Sequence, residues 1–190
     1  MNKHLIYVAQ RPRCGFTMVE AIVVVALIII LTSITVPNSV SALRHGRVSQ
    51  AVTLLDTANS DAQRFARASD GSEGAGLYGV RIEGGPPPHR ISVIHGQGAS
   101  AAAIPNLTRR LNPNVLFYQG DSPLSGSVVW YYQPSTGFPV SASQPNGSAV
   151  AIGTSSSPVI QDLTIRSVDG SLRVRCRIFE VGIFNRERLP

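Results

Sequence analysis

Glu20 is the only charged residue between Arg13 and Arg44, and it stands near the start of an apolar run. From Phe16 to Val36 there are 21 residues, which as a helix at about 1.5 Å per residue would just span the hydrocarbon core of a bilayer. A carboxylate in such a segment costs on the order of a few kcal/mol near the centre, so it reads as functional and calls for a partner of opposite charge. No second acid lies within the run to complete an acid/base pair. Glu20 is therefore read as a recognition group and not as a catalytic carboxylate.

A second group with chemical potential lies near the other end. Arg173, Arg175 and Arg177 alternate with Val174, Cys176 and Ile178. On a strand, period two would project three guanidiniums from one face and turn the apolar partners inward. A cationic stripe of this kind is enough to contact phosphates, so the three arginines are candidate DNA-binding residues, against the alternative of a solvated strand face. Arg186 and Arg188 lie just beyond. Cys176, on the apolar side, reads as a packed thiol.

Other chemistry finds no support. His4, His45, His89 and His95 have no metal-ligand spacing with cysteines or paired acids. The many serines include no Gly-x-Ser-x-Gly elbow. The Gly-rich stretch from Gly71 to Gly76 lacks the lysine and helix start of a phosphate loop. The expectation is a protein that is not an enzyme and uses no catalytic residue, cofactor or metal.

The elements that must position these residues follow from periodicity. Val40, Leu43, Val48, Val52, Leu55, Ala58, Ala62, Phe65 and Ala66 recur at helical steps from Asn38 to about Ser69, with Asp56, Asp61, Arg64 and Arg67 between them. Pro37 fits a bend where the apolar helix passes into this amphipathic continuation. The Gly- and acid-rich stretch Ser69–Gly74 should end the helix. Strands are expected at Leu77–Glu83, Arg90–His95, Asn114–Tyr118, Ser127–Gln133, Ala149–Gly153, Ile160–Ser167 and Ser171–Val181. The stretches Gly96–Ala103 and Pro139–Ser148 read as surface loops, and Asp169-Gly170 as a tight turn. The fold class expected is α+β. A long N-terminal helix, membrane-spanning in its first half and amphipathic in its second, packs on an antiparallel β domain of about six to eight short strands.

The order of features around Glu20 departs from a secretory signal, in which the small cleavage residue follows the apolar stretch. Here Gly15 precedes it, after a leader carrying Lys3, Arg11 and Arg13. A basic leader ending in Gly15, then Phe16-Thr17-Met18-Val19-Glu20 and a long apolar run, resembles the type IV pilin and pseudopilin family. The resemblance implies that prepilin peptidase cuts between Gly15 and Phe16 and methylates the new amine of Phe16. It also implies that Glu20 of one subunit meets the Phe16 amine of a neighbour during assembly, and that Pro37 bends the helix. Trp130-Tyr131-Tyr132-Gln133-Pro134-Ser135-Thr136-Gly137, with Ile165 to Val174 later, is similar to the closing strands of the GspH/FimT family of minor pseudopilins. Some members of that family serve DNA uptake through a Gly-Arg-x-Arg element, whose nearest match here is Leu172-Arg173-Val174-Arg175.

The resemblance divides the chain into a cleaved leader (1–15), a transmembrane helix (16–37) and a periplasmic α+β domain (38–190). It implies a minor pilin or pseudopilin of a type II secretion pseudopilus or type IV pilus, supporting protein secretion or pilus biogenesis. The alternative is a DNA-binding minor pilin for natural transformation. The implied partners are prepilin peptidase, other pilin or pseudopilin subunits, the inner membrane and DNA. The implied location is single-pass in a bacterial inner membrane, with the C-terminal domain in the periplasm. Positive-inside counting points the same way, with three basic residues before the apolar run and Arg44 and Arg47 after it.

Composition sets bounds on the remainder. The formal net charge of +6 falls to +3 once the three basic residues of the leader are removed. Cys14 would leave with the leader, so Cys176 could form no intramolecular disulfide. The residues beyond 38 suffice for one domain with its own core.

Overall fold

A computed structural model describes residues 17–69, 77–96, 98, 101–141, 159–179 and 183–189, without the side chains of 34–38, 141 and 160. The chain divides into two units, Met1–Ser41 and Ala42–Pro190. Helix α1 runs Met18–Ala68 and belongs to both.

In the first unit α1 opens with a capping box. Thr17 Oγ1 accepts the backbone N–H of Glu20 at 3.2 Å, and Glu20 Oε2 accepts the backbone N–H of Thr17 at 3.2 Å. Two N–H groups that lack intrahelical partners are thereby satisfied. Further along, Thr32 Oγ1 donates to the Ile28 carbonyl and Ser33 Oγ to the Ile30 carbonyl, so neither hydroxyl interrupts the apolar surface with an unmet donor.

The second unit is built from residues 42–68 of α1 and two sheets. Strands β1 (Tyr78–Glu83), β2 (Arg90–His95), β3 (Ala102–Arg110), β6 (Ser127–Tyr132) and β7 (Pro139–Ser141) make one antiparallel sheet in the order β3-β2-β1-β6-β7. Strands β4 (Val115–Gln119), β5 (Ser122–Pro123), β8 (Val159–Ser167), β9 (Arg173–Phe179) and β10 (Phe184–Leu189) make the other, in the order β10-β9-β8-β4-β5. Val48, Ala51, Val52, Leu55, Ala58, Ala62 and Ala66 of the helix share one core with alternate residues of both sheets. The first sheet contributes Val80, Ile82, Ile91, Val93, Val128, Trp130 and Tyr132, and the second Val115, Phe117, Leu163, Ile165, Cys176 and Ile178. The alanines let the sheets approach the helix closely, and the period-two alternation explains why Arg81 and Glu83 leave the core while Val80 and Ile82 enter it.

Two buried polar groups tie the layers together. Tyr132 OH donates to Asn59 Oδ1 at 2.9 Å, and Trp130 Nε1 donates to the same oxygen at 3.2 Å, which joins β6 to the helix. Burial raises the Tyr132 hydroxyl pKa well above its ordinary value. His89 joins the sheets. Its Nδ1 accepts the Phe117 N–H at 3.1 Å, and its Nε2 donates to the Gly85 carbonyl at 3.1 Å. Those partners require a neutral imidazole, and burial lowers its pKa accordingly. The loop beside it is tight: a Cβ on Gly84 would lie 2.1 Å from the Leu124 carbonyl oxygen.

The structure corrects several expectations. The fold class is not a membrane-spanning helix packed on six to eight short strands. Among the described residues ten strands form two five-stranded antiparallel sheets, and no helix is long and apolar enough to cross a membrane. Single-pass placement in an inner membrane is corrected on the same finding. Two expected loops contain strands, since β3 begins at Ala102 and β7 occupies Pro139–Ser141. Pro105 hid β3, because proline cannot donate to a ladder. The chain accommodates it by setting Ile104–Leu107 opposite Val93 alone, with Asn106 at φ 67°. Arg186 and Arg188 lie on a six-residue edge strand, β10, that was not expected and pairs with β9. The strand expected at Ala149–Gly153 lies outside the described residues.

Candidate functional site

Gly15 and Phe16, the expected cleavage and methylation positions, lie outside the described residues. Glu20 stands in the first turn of α1, where a carboxylate also complements the helix dipole. Its Oε2 takes a further hydrogen bond from Thr17 Oγ1 at 3.2 Å. The helix around it is exposed: Val19 is 70% accessible, Ile22 58%, Leu27 53% and Ile28 54%. Pro37 falls within α1, but its side chain is among those not described, and with it the expected bend. Sequence reasoning missed the cap, although Thr17-x-x-Glu20 before an apolar run is its signature.

The arginine stripe occupies β9. Alternation sends Val174, Cys176 and Ile178 toward the core and Arg173, Arg175 and Arg177 to the outer face of the second sheet. Burial pushes the Cys176 thiol up to about 12, which makes it inert. The guanidiniums are not a bare cationic track. Arg175 grips both oxygens of Asp162, with Nε at 2.9 and 3.0 Å. That contact holds the Asp162 carboxyl below its ordinary range. Arg177 Nη2 lies 3.2 Å from Glu187 Oε2 on β10, while its Nε lies 3.9 Å from Asp162. Arg173 is exposed and has no ion pair among the described residues.

A fourth arginine, not singled out in the sequence, shares this face. Arg166 on β8 stands directly opposite Arg173, and its guanidinium lies 4.4 Å from the Tyr118 ring centroid. It donates through Nη2 to the Gly120 carbonyl and to Asp121 Oδ1, each at 2.9 Å. The turn between β8 and β9 is fastened to the helix by Arg44 Nε and Asp169 Oδ2 at 2.9 Å. Hydrogen bonds from the Ser167 and Ser171 hydroxyls and the Ser171 N–H bring the Asp169 carboxyl down to about 2, with Arg44 adding to the effect. No group of three or more His, Cys, Asp or Glu suited to a metal occurs among the described residues.

No family model, no curated protein and no solved structure matches this chain.

Proposed function

We propose that this chain is a minor pilin or pseudopilin subunit, matured by prepilin peptidase between Gly15 and Phe16. It assembles with other pilin-type subunits into a type II secretion pseudopilus or a type IV pilus and supports protein secretion or pilus biogenesis. The observation that supports this reading is the exposed aliphatic surface of the first unit. Val19, Ile22, Val23, Leu27, Ile28 and Ile30 are each 52–70% accessible and point to several sides of the helix. So large an apolar surface marks an interaction site. Neighbouring helices in a filament would cover it, and each fully buried aliphatic side chain contributes about 1.5–3 kcal/mol.

Within such a filament Glu20 has two duties. It caps its own helix with Thr17, and it supplies the counter-charge for the Phe16 amine of a neighbour. The second duty rewards correct axial register, because an unpaired charge between apolar helices is costly.

Two substitutions separate these duties. Glu20→Gln keeps an acceptor for the cap and removes the charge, whereas Thr17→Val keeps the charge and removes the hydroxyl. Crosslinking into filaments should drop sharply for Glu20→Gln. Thr17→Val should stay near wild type despite losing about 1 kcal/mol at the helix end. The reverse ranking would reduce Glu20 to a helix cap. DNA uptake is the less supported role, since Asp162 and Glu187 already hold two of the three arginines.

A further inference from the structure

We propose that Arg173 and Arg166, beside Tyr118, form a binding notch for a single carboxylate, and that its occupant is an acidic side chain of a partner protein. Four guanidiniums share the outer face of the second sheet, and three of them have an acid of their own. Arg175 holds Asp162, Arg177 meets Glu187, and Arg166 meets Asp121. Arg173 alone has none among the described residues, yet the register sets it directly opposite Arg166. Like charges in that position repel, so the pair is stable only at a cost.

Arg166 is itself incompletely satisfied. Both of its hydrogen bonds to the β4–β5 turn use Nη2, while its Nε is buried and has no hydrogen-bond partner among the described residues. A buried donor without an acceptor is unfavourable. The acid that Arg166 does have, Asp121, is 98% exposed and weakly held, whereas the Arg166 side chain is only 13% exposed. One incoming carboxylate can accept from the exposed Arg173 guanidinium while its charge offsets that of Arg166 opposite, which would relieve the repulsion between the two arginines.

Charge decides which anion fits. Arg166, Arg173, Arg175 and Arg177 against Asp121, Asp162 and Glu187 leave the face with one positive charge. A polyphosphate needs several free cations in a row, which this face lacks. A lone carboxylate needs one well-placed pair. Arginines beside a tyrosine are also what protein interfaces favour, and Arg166, already held by the Gly120 carbonyl and Asp121, loses little entropy on binding.

The full chain, with its arginine side chains labelled for NMR, tests this by titration with an oligoglutamate peptide, an oligoglutamine peptide and duplex DNA. Oligoglutamate should shift the Arg166 Nε–H resonance, and Arg173→Gln should weaken binding about tenfold. Arg186→Gln, at a β10 position that alternates to the opposite face, should leave affinity unchanged. The proposal is overturned if the Arg166 resonance does not move, or if Arg186→Gln weakens binding as much as Arg173→Gln. It is equally overturned if DNA binds through these residues more tightly than the peptide.

Discussion

His89 shows how much one side chain decides. Its ring accepts from Phe117 on one sheet and donates to Gly85 on a loop of the other, and both bonds need the neutral form. Because burial lowers its pKa below the ordinary 6.5, the unfolded chain binds the proton first as pH falls. Stability contributed by neutral His89 is thus complete above pH about 6.5 and declines below it, until the folded-state pKa is passed. Chemical denaturation at a series of pH values should show wild type losing stability below 6.5 relative to His89→Gln, which has no titrating ring. Parallel profiles would mean that His89 binds its proton equally well in the folded and unfolded chain, so that burial does not hold it neutral. At this scale the sequence was only partly legible. The roles of Glu20 and of the β9 arginines could be posed from spacing alone, but the partners Thr17, Asp162, Glu187 and Asp121 could not all be assigned. Asp162 and Arg175 meet only because β8 and β9 pair in one particular register, which no local pattern specifies.

At the scale of elements, the helical spacing picked out Val48, Val52, Leu55, Ala58, Ala62 and Ala66, and these are residues the core uses. Alternation likewise placed β1 and β2 closely, because one face of each is uniformly apolar. It failed for β3, where Pro105 and Asn106 break the pattern at a sheet edge, and for β10, where charged residues protect an exposed edge strand. The membrane-spanning expectation failed because no helix among the described residues is long and apolar enough to cross a membrane. Helix–sheet packing predicts a sharp contrast on one helix. Leu55→Ala, at a fully buried position, should cost about 2–5 kcal/mol in denaturant unfolding. Thr53→Ala on the exposed side should stay within about 0.5 kcal/mol. Similar costs at both positions would mean the helix does not pack on the sheets through this seam.

For the whole molecule, the formal charge of +3 carried by residues 16–190 and the ion pairs on β9 together predict weak DNA binding. Titration of the full chain with duplex DNA at two salt concentrations should give a shallow salt slope. Replacing Arg173, Arg175 and Arg177 together by Gln should barely change it. A steep slope, near −0.9 per phosphate contact in log–log form and lost in the triple variant, would move the function to DNA uptake. The central claim, a pilin-type subunit, rests on Gly15 standing before the apolar helix and on that helix's exposed surface. Mass spectrometry of the protein isolated from producing cells tests it most directly. The account predicts a chain that starts at Phe16 and carries one added methyl on its terminal amine. An intact leader, or a cut after Val36 that discards the apolar helix, would contradict it.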